Sequence, residues 1–488
     1  MIINKIAFSK YSVPAGLLLL NFILKVIYLD KTSIANDEPF SIYIAQMDVH
    51  SIVSQLRGGN NPPLFEIILH FWIRLFGISA FSTRFLPLLF SVATVFFIYK
   101  TGIDFFNEKV AVISGLLYTF SNYQIYFSHE VRVYSLFALL TAISMFAYFK
   151  LIENKHQKPY LVVLILVNIL LIYAHFFGLF IPLIQLLCCI FFKEIRIKIL
   201  KTYFIVVGFI ILSYLPYLTV ILTRFIDAAS NGTWVQPSVW EDLYTMLWRF
   251  SNAPVTTVIF LIVLAGAFIQ LTRKHFRGIS IYGKVILFWF LFPYFLMFLV
   301  SMKYLPFNVP VFFDRYVAFI SIGFYLTVAV SSDYLFSQHR YGSYLIFLPV
   351  AFIMITCKPD VDNKRHVGEL MDKVKEIKTG ETVTYFCPPN FDCNFVYYYN
   401  AGYFKDVNGT DFPGKMHQLL AQDRIYPVID QDQIDTNLIS HADKILFIDA
   451  AADFLYPENN IFTFLSQRFP KYKKYNFPEI FALYVFEN

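Results

Sequence analysis

SVPAGLLLLNFILKVIYLDKTSIANDEP, residues 12–39, decides how the rest of the chain is read. Residues 12–29 are apolar over a length that crosses a bilayer. The next ten residues bring Asp37 and Glu38 to the membrane surface. Carboxylates are costly beside lipid, so a pair held there is a candidate for chemistry. Lys5 and Lys10 precede the apolar run, as in a signal peptide, but no small-x-small cleavage site follows it. The expectation is a retained first helix.

Composition extends that reading to the whole chain. Of 488 residues, 57% are hydrophobic and 15% charged, with 56 Phe and 33 Tyr. A soluble domain is nearer about a quarter charged. The chain therefore reads as a polytopic membrane protein. Its net charge of +6 points to loop anchoring on one side of a membrane, not to nucleic acid. Richness in Lys, Ile, Phe, Tyr and Asn suggests an AT-rich bacterial genome.

Apolar runs recur at 12–30, 82–100, 110–128, 133–150, 160–176, 178–192, 203–222, 254–271, 285–302, 316–333 and 342–357. They predict about eleven spans, with the division at His175–Gly178 the least distinct. With the N-terminus inside, the inner loops collect dense basic clusters. These are Lys150/Lys155/Lys158, Lys193/Arg196/Lys198/Lys201, Arg273/Lys274/Arg277/Lys284, and Arg340. The outer side receives 31–81, 129–132, 223–253, 303–315 and the polar tail from Lys358. Asp37 and Glu38 then face the extracytoplasmic side.

Two helices are predicted in the first outer loop. Phe40, Tyr43, Ile44, Met47 and Ile52 have helical spacing over 39–57, as in an amphipathic helix on a membrane surface. After Pro62-Pro63 comes Leu64–Phe76, too short to span and carrying Glu66, His70 and Arg74. Residues 358–488 have ordinary hydropathy and read as a soluble α/β domain. Strand-like runs there are Thr382–Phe386, Phe395–Tyr399, Lys444–Asp449 and Phe481–Phe486, with a helical pattern over Lys364–Ile377. Two domains follow: a membrane domain over 1–357 and an extracytoplasmic α/β domain over 358–488. Cys387 and Cys393 form a disulfide or remain two free thiols; the spacing leaves both open.

The chemistry-bearing residues gather at outer helix ends. They are Arg84, His129, Glu130, Arg132, Tyr134, His175, Asp314 and Arg315. Outer arginines run against the positive-inside bias, and a membrane-embedded anion is one reason for them. Guanidinium matches phosphate oxygens with paired donors. The plain alternatives are arginines reaching lipid head groups, a Glu130–Arg132 surface pair, and Asp37 capping the helix at Pro39. Lys25, inside the first span, either reaches the phosphate or snorkels to the surface. His129, His175 and Glu130 are candidates for polar support.

Four motifs in this order resemble the GT-C membrane glycosyltransferases. They are Asp37-Glu38, Asn61-Pro-Pro-Leu-Phe65, Phe76-Gly-Ile-Ser-Ala-Phe-Ser-Thr-Arg84-Phe-Leu-Pro87, and Glu130-Val-Arg132-Val-Tyr134-Ser-Leu136. The nearest subgroup holds protein O-mannosyltransferases and the bacterial aminoarabinose lipid A transferase, and the resemblance covers roughly 10–335. It implies a catalytic carboxylate in the first outer loop and a donor sugar on a polyprenyl monophosphate. Carried over, the base is Asp37, with Glu38 beside it. Arg132, Arg84, Arg315 and Tyr134 would hold the donor phosphate. Transfer to an acceptor hydroxyl would invert the anomeric centre.

The implied partners are a polyprenyl-phosphate sugar, a lipid, glycan or protein acceptor, and membrane lipids. The implied place is the bacterial cytoplasmic membrane, with active site and tail extracytoplasmic. No cofactor and no metal are expected. Asp360-Val-Asp362 and Asp430-Gln-Asp432 read as solvated loops, and Asn231-Gly-Thr and Asn408-Gly-Thr as chance sequons. A transporter or flippase of lipid-linked glycans is the alternative, disfavoured because polar residues cluster at helix ends without a repeat. A glycan ligase is a weaker one. The tail is expected to select the acceptor, so its deletion should alter acceptor use more than donor binding.

Overall fold

A computed structural model of the chain describes residues 2–58, 61–153, 157–231, 235–276, 278–304, 309–337, 342–360, 366–404, 412–477 and 481–487. Gly59, Asn60, Lys155, Arg277, Arg340, Asp362, Gly232-Thr233 and Asn408-Gly-Thr lie outside the described residues. The chain forms two compact units. A helical unit comprises Met1–Tyr28, Arg57–Phe65 and Arg84–Val361. A sheet unit comprises Leu29–Leu56, Glu66–Thr83 and Asp362–Asn488.

In the helical unit every predicted span is found as a helix or as a broken pair of helices. Among the described residues, six helices are long and apolar enough to cross a membrane, including Ala80–Phe105, Tyr134–Glu153 and Ala318–Phe336. The protein is a multi-pass membrane protein. The span over 110–128 breaks into Glu108–Thr119 and Asn122–Ser128, with Ser121 Oγ capping the second piece at Gln124 N, 3.4 Å away. The span over 203–222 lies in Lys193–Tyr214 and Leu218–Asn231, joined by one turn around Pro216, which has no amide to donate. At His175 the chain also breaks. Gln157–Ala174 ends there, and Phe180–Phe191 begins after one short turn. A Cβ on Gly178 would sit 2.3 Å from the Leu171 carbonyl oxygen, so only glycine closes this turn. Charge is sorted by helix end. Arg84 and Tyr134 stand near the N-termini of their helices, whereas Lys150 bridges to Asp104 at 2.9 Å near the two C-termini.

The sheet unit is built on five strands: β1 Val383–Cys387, β2 Ile425–Pro427, β3 Lys444–Ala450, β4 Tyr472–Phe477 and β5 Phe481–Glu487. Their order is β2-β1-β3-β5-β4, with β1 parallel to β2 and β3, and β5 antiparallel to β3 and β4. Period-two alternation fills both faces. Phe386, Leu446, Ile448, Leu483 and Val485 serve one core; Val383, Tyr385, Ile445, Phe447 and Tyr484 serve the other. Phe395–Tyr399, predicted as a strand, lies in the helix Asp392–Tyr399. Its apolar residues fall at helical spacing, and the rings of Phe395 and Tyr399 meet at 5.2 Å across one turn. Cys387 and Cys393 are buried free thiols.

Most of the loop after the first span belongs to this sheet unit. It carries Glu38–Gln46 and Val49–Leu56, two helices where one was predicted. Asp48 makes the break, its carboxylate taking Ser51 N at 3.0 Å and Ser51 Oγ at 2.6 Å. Tyr43, Ile44, Met47, Ile52 and Leu56 do not lie open to a membrane surface. They are buried in one core with Val367, Leu370, Met371, Phe395 and Val396 from the tail. In Leu64–Phe76, Leu69 and Ile73 are buried while Phe71 and Leu75 stay exposed, which suits a helix at an interface. A shared core changes the expected outcome of deleting 358–488: the loop would lose the residues it folds against.

Four membrane helices are tied by one buried polar network. Gln185 Oε1 accepts from Asn168 Nδ2 at 3.0 Å and from Tyr203 OH at 2.9 Å. Gln185 Nε2 donates to Ser144 Oγ at 2.8 Å, and Ser144 donates to Asn168 Oδ1 at 2.6 Å. All four side chains are fully buried. Between apolar helices such bonds add directionality that packing lacks. Gln185→Leu should therefore destabilise the protein by about 1–3 kcal/mol, because it leaves the buried Asn168 amide donor without its acceptor. A thermal midpoint in detergent unchanged from the parent would contradict this.

Candidate active site

The proposed base sits on a locked turn of the sheet unit. Glu38 N donates to Ala35 O at 3.1 Å, and Glu38 Oε2 takes Ala35 N at 3.2 Å. Ala35 is fully buried and Glu38 is 1% exposed. Between them Asn36 has φ +58°, a left-handed conformation that Asn tolerates better than most residues. Asp37 is exposed. It stands at the N-cap of Glu38–Gln46, yet its side chain makes no capping hydrogen bond. The capping role set against catalysis is therefore not what this carboxylate does. The two acids differ in burial: Glu38 closes the turn onto Ala35, and Asp37 is exposed.

Further residues brace the helix after Asp37. Ser41 Oγ donates to Glu66 Oε1 at 3.0 Å, and His70 Nδ1 donates to Ala45 O at 2.8 Å. Glu66 and His70 are buried on one face of Leu64–Phe76. The signal for them was present in the sequence: a helix too short to span that still carries an acid and a histidine one turn apart.

The other candidates belong to the helical unit. Arg84, Arg132, Glu130, His129, Tyr134 and His175 are all buried. Buried Glu130 and Arg132 are not a solvent-exposed pair; Arg132 N donates to Glu130 O at 2.7 Å. His129 Nε2 donates to the Lys25 carbonyl at 2.7 Å. Burial lowers the His129 pKa to about 4, and the Arg84 and Lys25 charges push the same way, against the carbonyl bond. His175 Nδ1 accepts from Phe177 N at 3.2 Å, and its ring stacks on Phe137 at 4.8 Å. Tyr134 lies 6.3 Å from His175 and 5.8 Å from the Arg315 guanidinium. Asp314 pairs with Arg249 and receives Arg315 N at 2.7 Å. The structure thus gathers His129 with Arg84 and Lys25, and His175 with Tyr134 and Arg315.

Lys25 is fully buried rather than snorkelling. Its Nζ donates to Ser91 Oγ at 2.6 Å and lies 4.9 Å from the Tyr118 ring. An ionisable residue inside an apolar span was its signal in the sequence. Among the described residues no three His, Cys, Asp or Glu side chains converge as a metal site.

Residues 60–219 match the family model described as dolichyl-phosphate-mannose-protein mannosyltransferase. No curated protein matches the chain. The crystal structure of ArnT from Cupriavidus metallidurans in the apo state is similar over 98% of both chains, with TM-score 0.59 and 11% identity. The same protein bound to undecaprenyl phosphate gives TM-score 0.57 at 11% identity, again over 98% of both. The archaeal oligosaccharyltransferase AglB from Archaeoglobus fulgidus, in complex with an inhibitory peptide and a dolichol-phosphate, gives TM-score 0.54 at 11% identity. That likeness covers 90% of this chain and 70% of AglB. At these identities the likeness shows the fold alone, which the chain shares with ArnT.

The buried neutral His129 makes a pH prediction. Unfolding frees it to take a proton at its ordinary pKa of 6.5, whereas the folded protein resists protonation down to about 4. The unfolded state then binds more protons, so stability falls as pH drops through that window. His129→Gln, which keeps an amide donor for the Lys25 carbonyl, should flatten the fall in thermal midpoint between pH 6.5 and 4. An identical slope in both proteins would contradict the assignment.

Proposed function

We propose that the protein is a glycosyltransferase that moves a sugar from a polyprenyl phosphate to an acceptor hydroxyl. It works on the extracytoplasmic face of a bacterial cytoplasmic membrane. The observation that carries this reading is Asp37: exposed, unused as a cap, and fixed on a turn locked by its neighbour. The fold and the family-model match add a lipid-phosphate context, since ArnT binds undecaprenyl phosphate and AglB dolichol-phosphate.

In the proposed step Asp37 takes the acceptor hydroxyl proton while the acceptor oxygen attacks C1 of the sugar. The C1–O bond to phosphate breaks, and the electron pair leaves with the lipid phosphate. One displacement inverts the anomeric centre and needs only one carboxylate, unlike the acid–base pair of hydrolases. Arg132, Arg84 and Arg315 would stabilise the leaving phosphate, with Tyr134 fixing Arg315. Lys25 adds a buried positive charge for the same purpose. His129, neutral at physiological pH, supports by hydrogen bonding rather than by charge.

Asp37→Asn should lower sugar transfer by about 10²–10⁴-fold while undecaprenyl phosphate still binds. Arg132→Ala should instead weaken undecaprenyl phosphate binding. The assay supplies undecaprenyl-phosphate mannose or aminoarabinose with extracted membranes as acceptor, and follows lipid binding by thermal shift. Full turnover by Asp37→Asn with both donors would remove the proposed base.

A further inference from the structure

We infer that the C-terminal part of the chain positions the catalytic carboxylate, and that Asn394 is the positioning residue. This inference rests on the reading of Asp37 as the base. Asn394 Nδ2 donates to the Asn36 carbonyl at 3.0 Å, reaching across 358 positions in sequence. Asn36 is the left-handed residue of the turn and immediately precedes Asp37. Its carbonyl belongs to the peptide that also carries the Asp37 amide. Fixing that oxygen therefore fixes the peptide plane from which the Asp37 side chain departs.

A second contact from the tail grips the segment leading into the turn. Gly368 N donates to Ser33 Oγ at 3.2 Å. A Cβ at Gly368 would come within 3.1 Å of that oxygen and 3.4 Å of the Tyr398 ring, so the approach has no room for a side chain. The surroundings are equally closed. Asn394 is 7% exposed, on a helix whose Phe395 and Val396 share a core with Ala35, Tyr43 and Ile44. The same helix carries Asp392, whose Oδ2 pairs with His417 Nε2 at 3.2 Å and whose Oδ1 receives Cys393 N at 2.6 Å. Asn394 thus projects from a braced helix end.

A turn with a left-handed residue at its second position is strained for most side chains and is held by its surroundings. Here they include a donor supplied from residue 394. Losing that donor lets the Asn36–Asp37 peptide rotate and lowers the fraction of time that Asp37 meets the acceptor hydroxyl. A positional fault of this kind lowers kcat and leaves donor KM alone.

The test uses the full-length protein, because truncation removes part of the loop's core. Asn394→Asp keeps the size and loses the N–H donor; Asn394→Gln keeps the donor on a longer arm. Sugar release from undecaprenyl-phosphate mannose and aminoarabinose is measured beside Asp37→Asn, and hydrogen exchange is followed at residues 35–38. Expected are a roughly tenfold fall in kcat for Asn394→Asp, about 1.4 kcal/mol of barrier, with KM unchanged. Faster exchange at 35–38 and partial recovery in Asn394→Gln should accompany it. Unchanged kcat in Asn394→Asp while Asp37→Asn is inactive overturns the inference and spares the base. If Asp37→Asn is active, the base assignment fails on its own. Exchange then decides positioning, and unchanged protection at 35–38 in Asn394→Asp overturns it.

Discussion

The proposed site depends on a single folded turn. A carboxylate on a loop has no intrinsic direction. Here direction comes from burial of its neighbour. Glu38 closes the turn onto Ala35, and Ala35 is packed in the sheet unit's core. A buried carboxylate left without partners would be expensive, so the turn and the acid stabilise each other. Asp37 can then stand exposed without becoming mobile. The adjacency of two acids, ambiguous in sequence, resolves into one that holds and one that is offered.

A second constraint acts at the end of the membrane helices where Arg84, Arg132 and Tyr134 lie. Charged groups beside apolar helices must find partners or face water. Asp314 is engaged by Arg249. Arg84, Arg132 and Lys25 are each buried. Cations gathered at such an end suit a phosphate whose own charge grows as the sugar leaves.

The membrane architecture was legible because it is written in hydrophobic runs, which length alone converts into spans. Helix breaks were less legible. Pro216 signals one, but the break at Phe120-Ser121 depends on a cap that only the fold supplies. Phe395–Tyr399 misled because aromatic residues favour strands when read singly, whereas their spacing in this chain serves a helix. The candidate site was legible as a set of residue types at outer helix ends. Its internal logic was not. Nothing local to Asp37-Glu38 distinguishes the two acids, and the donor that steadies Asn36 comes from residue 394, far along the chain. Such pairings belong to tertiary structure, as does the union of the first outer loop with the C-terminal sheet.

The central claim is that Asp37 deprotonates an acceptor for a single inverting displacement. Azide attacks without needing a base, so it can replace the acceptor when the base is removed. The decisive measurement is the product formed by Asp37→Ala from an undecaprenyl-phosphate sugar in the presence of azide, with its anomeric configuration read by NMR. The account predicts a glycosyl azide of inverted configuration, formed faster than any sugar transfer by the same variant. A retained configuration, or no azide adduct from a variant that still binds undecaprenyl phosphate, would contradict it.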